Sequence, residues 1–132
     1  MNEATKVEKP WGYELHWAKT DRYVAKIIHI NSGHALSLQY HNQKDETILL
    51  WKGRLTLEIK EKDKLVQRQM NPGDIFHIRP KTIHRMIALE DSDVLEASTC
   101  GFPFVTIAAL AVLRTACMPS VLSPPLMFCM TM

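Results

Sequence analysis

Apolar and polar positions alternate with a period of two through most of the first hundred residues. Tyr13, Leu15 and Trp17 share one face of a run whose other face carries Glu14 and His16. Leu55, Leu57 and Ile59 alternate in the same way with Thr56, Glu58 and Lys60. Strict alternation is the mark of a strand with one buried face. Tyr23–Ile30 is rich in β-branched residues and predicts another strand. Further strands are predicted at Leu36–His41, Thr47–Trp51, Leu65–Met70, Ile75–Arg79, Ile83–Leu89 and Val94–Thr99. Turn signals separate them: Pro10-Trp11-Gly12, Asn31-Ser32-Gly33, Lys52-Gly53, Asn71-Pro72-Gly73-Asp74 and Pro80-Lys81-Thr82 are the clearest. Residues 1–9 are polar and are expected to be mobile. Roughly nine short strands, at a spacing of about 8–12 residues and with no helical period before residue 100, predict an all-β sandwich or barrel. An antiparallel jelly roll protects its edges and leaves an interior mouth for a ligand.

Composition narrows the class. The chain of 132 residues is long enough for one domain with a real core, and its net charge of +2 offers no electrostatic footprint for nucleic acid. Cys100, Cys117 and Cys129 are late, widely spaced and odd in number, so neither a disulfide framework nor a zinc knuckle is expected. The opening MNEATKVEKP has no signal-peptide apolar run, and a cytoplasmic protein is the expectation. The charge pattern breaks near residue 100. All 14 acidic residues precede it, and Arg114 is the one basic residue beyond it. The expected organisation is a domain at residues 1–100 and an apolar tail at 101–132.

The candidate chemistry lies between Gly33 and Gly53. Gln39 and His41 are two apart and point to one side of an extended strand. The polar run Asn42-Gln43-Lys44-Asp45 reads as a hairpin turn, which returns Glu46 toward His41. His84, in the stretch Gly73–Arg85, is a fourth candidate. Amide, carboxylate and two imidazoles make a divalent-metal donor set. The bland alternative, isolated polar residues on a β surface, does not account for the spacing. His16, His29, His34 and His77 have no such support and read as structural or exposed.

These residues resemble the cupins, small double-stranded β-helix barrels. Gly33, Gln39, His41, Glu46 and Gly53 stand at the spacings of the first cupin motif, with Gln39 where its first histidine is usual. Gly73 and His84 have the spacing of the second motif. Within the cupins, Pro10-Trp11-Gly12-Tyr13, Ser37-Leu38-Gln39-Tyr40-His41 and His84-Arg85 resemble the mannose-6-phosphate isomerase branch, including the cupin domain of bifunctional isomerase/GDP-mannose pyrophosphorylases. The resemblance spans about residues 7–99. Arg79 and Lys81 depart from it, standing where the second motif usually has a proline and a glycine. Lysine tolerates poorly the backbone angle that a glycine allows.

The resemblance implies a metal-dependent aldose–ketose isomerase acting on a sugar phosphate. A non-catalytic metal cupin that binds a carbohydrate or sugar nucleotide is the competing expectation. Zinc is the metal it favours at Gln39, His41, Glu46 and His84, with manganese, iron or nickel also compatible with mixed N/O ligands. Lys26 matches a lysine of the branch and is a candidate base or phosphate contact. Arg85 is a candidate phosphate contact, although strand alternation sets it on the face opposite His84. Both also read as ordinary rim or surface charges. A homodimer is expected, paired through the Trp11–Trp17 strand as an edge. For the tail, one expectation is a membrane- or partner-docking segment with a helix at 104–116. The other, which is preferred, is an apolar run left where a native end was lost, because composition and resemblance change at the same place.

Overall fold

The computed structural model describes residues 1–100 and the backbone of residues 104–106. The described residues form eleven strands and no helix: β1 (Thr5–Lys9), β2 (Gly12–Lys19), β3 (Tyr23–Ile30), β4 (Gln39–His41), β5 (Glu46–Lys52), β6 (Leu55–Glu61), β7 (Lys64–Met70), β8 (Ile75–Ile78), β9 (His84–Ala88), β10 (Ser92–Thr99) and β11 (Phe104–Thr106). Two antiparallel sheets face each other. One runs β1-β2-β3-β10-β5-β8 and the other β11-β4-β9-β6-β7. This is the all-β jelly-roll barrel that the alternation predicts.

The inner faces divide the barrel lengthwise. On β3 the inward positions pass from Ile30 and Ile28 to Lys26. On β10 they pass from Val94 to Glu96 and Ser98, and on β5 from Leu50 and Ile48 to Glu46. The ladders align these changes, with Ile28 opposite Val94 and Val94 opposite Leu50. One end of the barrel is therefore filled by a close-packed cluster that includes Ile30, Leu50, Leu55, Leu57 and Val94. The other end is lined by charged and polar side chains and stays open. Burying the first set drives the barrel to close, and closure places the second set around one space.

The turns are set by backbone geometry. Gly53 has φ +88°, and a Cβ there would stand 2.3 Å from the Asp91 carbonyl oxygen, so no other residue fits without movement. Lys81 adopts φ 66° without being glycine. The lysine has taken the left-handed conformation of the glycine it replaces in the motif.

Several expectations are corrected. Residues 5–9 are not a mobile leader but β1, paired along its length with β2. β2 is therefore an interior strand and the Trp11–Trp17 segment is not the sheet edge. The register of β2 on β3 slips between His16 and Ala18, and Trp17 is left 59% exposed. The predicted strand at Leu36–His41 is reduced to Gln39–His41, although Leu36 still donates its N–H to the Met86 carbonyl. On β6 both faces are buried, because Thr56 and Glu58 are covered by Gln69, Gln67 and Arg85. Residues 104–106, the start of the helix expected at 104–116, form β11 against β4. The rest of that helix, the remainder of the expected tail, and Cys117 and Cys129 lie outside the described residues. Among the described residues no helix is long and apolar enough to cross a membrane.

Candidate metal centre and its cavity

His41 ends β4, Glu46 begins β5 and His84 begins β9, so the donors stand where three strands meet at the open end of the barrel. All three are buried, and one donor atom from each lies within 4.8 Å of the others. Glu46 Oε1 is 3.0 Å from His84 Nε2, and Glu46 Oε2 is 3.7 Å from His41 Nε2. Gln39 lines the same cavity and is the ladder partner of His84.

The donor set fits a divalent cation. His84 donates Nδ1–H to the Thr82 carbonyl at 2.8 Å, which fixes its tautomer and turns Nε2 toward Glu46. A bare imidazole nitrogen and a carboxylate oxygen at 3.0 Å repel unless a proton or a metal cation lies between them. Burial pushes His41 down to about 4, against the pull of Glu46, so the ring is neutral at pH 7. Burial opposes ionisation of Glu46, but the His84 hydrogen bond and the Lys44 charge outweigh it and hold the carboxyl at about 2. Neutral imidazole and ionised carboxylate are the forms that ligate metal.

The cavity has a volume of about 260 Å³. An ion-paired ladder crosses its wall. His16 Nε2 lies 2.7 Å from Glu14 Oε2, and Lys26 Nζ is 3.4 Å from both Glu14 Oε2 and Glu96 Oε2. Glu96 Oε1 is 2.6 Å from Lys44 Nζ, which also contacts Glu46 Oε2. Ser98 donates its hydroxyl to Glu96 Oε1 at 3.0 Å. Glu96 is 5% exposed and sits between the two lysines. Burial works against the charge on Lys44, yet Glu96 and Glu46 keep it protonated above the usual lysine value. For Glu14 the cost of burial is outweighed by the Lys26 charge and the His16 hydrogen bond, which hold it below the ordinary carboxylate range.

The structure brings Gln39, His41, Glu46, His84 and Lys26 to one cavity, and it does not bring Arg85 there. Arg85 points outward from β9 and its Nε pairs with Glu58 Oε2 at 2.5 Å. Alternation along a regular strand is the reason, since no bulge occurs between His84 and Arg85. Sequence reasoning missed Glu14, His16, Lys44 and Glu96. The signal for the first two was the face opposite Tyr13 and Leu15. For Glu96 it was an acid flanked by small or apolar inward positions on the last predicted strand. Lys44 lies in a run that reads only as a polar turn.

The Cupin domain family (Cupin_2) matches residues 26–97. No curated protein sequence matches the chain. Among solved structures, KdgF from Halomonas sp. is similar with a TM-score of 0.64 at 24% identity, over 76% of this chain and 88% of that one. An RmlC-like cupin from Shewanella frigidimarina superposes with a TM-score of 0.66 at 12% identity, over 74% of this chain and 85% of that one. The capsular polysaccharide assembling protein CapF of Staphylococcus aureus gives 0.64 at 16% identity, over 75% of this chain but 29% of CapF. At these identities the likeness is one of fold.

Proposed function

The chain belongs to the cupin domain family, and from that premise we propose that it is a metal-dependent sugar-phosphate isomerase of the mannose-6-phosphate isomerase type. The observation that carries this reading is the placement of an acid–base set, His16–Glu14 with Lys26, in the same small cavity as the His41–Glu46–His84 donors. The sequence likeness at Pro10–Tyr13, Ser37–His41 and His84-Arg85 supports the branch. A divalent metal, zinc by preference, would be held by His41, Glu46 and His84, with Gln39 as a fourth donor. It would supply Lewis acidity toward a substrate carbonyl.

The chain's own residues would do the rest. Aldose–ketose interconversion moves one proton between adjacent carbons and needs a group that takes it up and returns it. The His16 imidazole is placed for that transfer, and Glu14 orients its ring. Lys26, held between Glu14 and Glu96, offers a charged N–H to a substrate oxygen that becomes negative. Lys9 and Lys19 also line the cavity and would face the phosphate. The volume suits one sugar ring rather than a sugar nucleotide. Residues 1–100 carry the barrel in this reading, together with β11 at Phe104–Thr106.

A second reading is a metal cupin that binds a carbohydrate without turning it over. The full ion pairing of Lys26 favours it, because each of its neighbours is already satisfied. Metal content and aldose–ketose turnover on mannose 6-phosphate, measured on the same full-length preparation and on His41→Ala, separate the two. Stoichiometric metal with turnover, both lost in the variant, is the expected result. Metal without turnover on any hexose phosphate would leave the binding protein.

The homodimer belongs to the same proposal, moved from the β2 edge to the outer face of the six-stranded sheet. Leu15, Ile27, Leu95, Leu49 and Ile75 stand opposite one another in five successive strands. Ile75 and nearby Trp51 are each 66% exposed. The six strands, four to eight residues long and about 4.8 Å apart, give a face of roughly 600 Å² before side-chain relief. A standard interface needs about 800 Å² per partner.

A further inference from the structure

Glu46 presents two oxygens, and they face different partners. Oε1 lies against His84 Nε2 at 3.0 Å. Oε2 lies 3.7 Å from His41 Nε2 and in contact with Lys44 Nζ. The Lys44 side chain is 11% exposed, and its other contact is Glu96 Oε1 at 2.6 Å. Lys44 reaches inward from the loop between β4 and β5, so its ammonium touches one oxygen of a carboxylate that would also hold the metal. Glu96 is anchored independently by Lys26 and Ser98 and does not depend on Lys44 for its place.

Building on the metal reading above, we propose that Lys44 is an internal cation that competes with the divalent metal for Glu46. In the metal-free protein its ammonium bridges Glu46 and Glu96 and keeps the buried carboxylates from repelling one another. When metal enters, the contact with Glu46 is exchanged for the metal and Lys44 remains on Glu96. Two like charges a few ångströms apart oppose each other strongly in a partly buried site. Lys44 thus sets the affinity of the centre from outside its donor set, and it makes metal loading reversible.

The test is metal affinity of the full-length protein, measured by chelator competition with Zn²⁺ and Mn²⁺ at low salt. Wild type is compared with Lys44→Met and Lys44→Arg. The Met variant is expected to bind at least about tenfold more tightly, because the opposing charge is gone. The Arg variant keeps the charge and is expected to stay within about threefold of wild type. Metal-free Lys44→Met is expected to unfold at lower denaturant concentration and to regain the loss when zinc is added. Equal or weaker metal binding by the Met variant overturns the proposal. If wild type binds metal and the variant binds no tighter, this proposal alone fails. If neither binds any metal, the metal reading fails with it. Should the Met variant not fold, ¹³C-methylated wild type carries the test. Zinc is then expected to shift the Lys44 methyl resonance, and a resonance unmoved at saturating zinc overturns the idea.

Discussion

The backbone N–H of Lys81 donates to the His41 carbonyl at 2.6 Å, and it does so from a left-handed conformation, φ 66°. The next residue, Thr82, accepts the Nδ1–H of His84. One short loop therefore holds both histidines of the centre, and it is strained at the residue that does the holding. A non-glycine residue in this region costs about 1–2 kcal/mol. Glycine would relieve that cost while adding about 0.5–1 kcal/mol of freedom to the unfolded chain. Lys81→Gly is expected to raise stability by about 0.5–1 kcal/mol, or about 2–6 °C in Tm. Calorimetry on both proteins checks it, and an unchanged or lower Tm counts against the strain.

Lys26 and Arg85 should separate sharply in kinetics. Lys26 faces the cavity, whereas Arg85 pairs with Glu58 on the outer face, where its hydrogen bond is the main reason the Glu58 carboxyl lies below its usual range. Lys26→Met is expected to lower kcat on mannose 6-phosphate by about two orders of magnitude with metal content retained. Arg85→Met is expected to keep kcat within about threefold and to cost less than about 1 kcal/mol, as for a partly exposed ion pair. Comparable losses in both variants would remove Lys26 from the reaction.

Acidification should unfold the metal-free protein in a definite window. His41 is held at about 4 in the folded state, below its ordinary 6.5, so the unfolded chain takes the proton first as pH falls. Stability is therefore lost between about pH 6.5 and 4, by on the order of 3 kcal/mol from this group. Glu46, lowered to about 2, stabilises fully above its ordinary 4.5 and gives up that contribution from there down to about 2. Both act in one direction. Urea midpoints at pH 7.5, 5.5 and 4.5 for wild type and His41→Asn measure the first term, which the variant should lack.

The outer face gives a prediction about association. Leu95 lies at the middle of the apolar row across β2, β3, β10, β5 and β8. Leu95→Lys is expected to convert a dimer to a monomer in sedimentation velocity, with the β-sheet circular dichroism unchanged. A wild-type protein that is monomeric at high micromolar concentration would dispose of the interface.

Much of this was legible in the sequence, for physical reasons. Period-two alternation located the strands because each buries one face, and the turn residues marked where the chain reverses. His41, Glu46 and His84 could be named because motif spacing fixes which residues point inward at a strand end. β1 was hidden because an edge strand half in water carries no apolar stripe: Thr5-Lys6-Val7-Glu8-Lys9 looks like any polar leader. The charged ladder was hidden for another reason. Lys26 and Glu96 are far apart in the chain and become neighbours only when β10 inserts between β3 and β5. Pairing across strands cannot be read from either strand alone. Lys44 left no trace because an inward-turned lysine in a loop has the same local sequence as a solvated one.

The arrangement of the donors across three strands also bears on when the centre comes into being. His41 and Glu46 stand at the two ends of one hairpin loop, but His84 arrives on β9, whose partner strands β4 and β6 are not joined to it by a tight turn. A half-built barrel would offer two donors and hold metal poorly. The third joins only when the two sheets have closed. In the metal reading, capture of an ion would follow closure of the two sheets, and its onset rate would report the moment at which the barrel shuts.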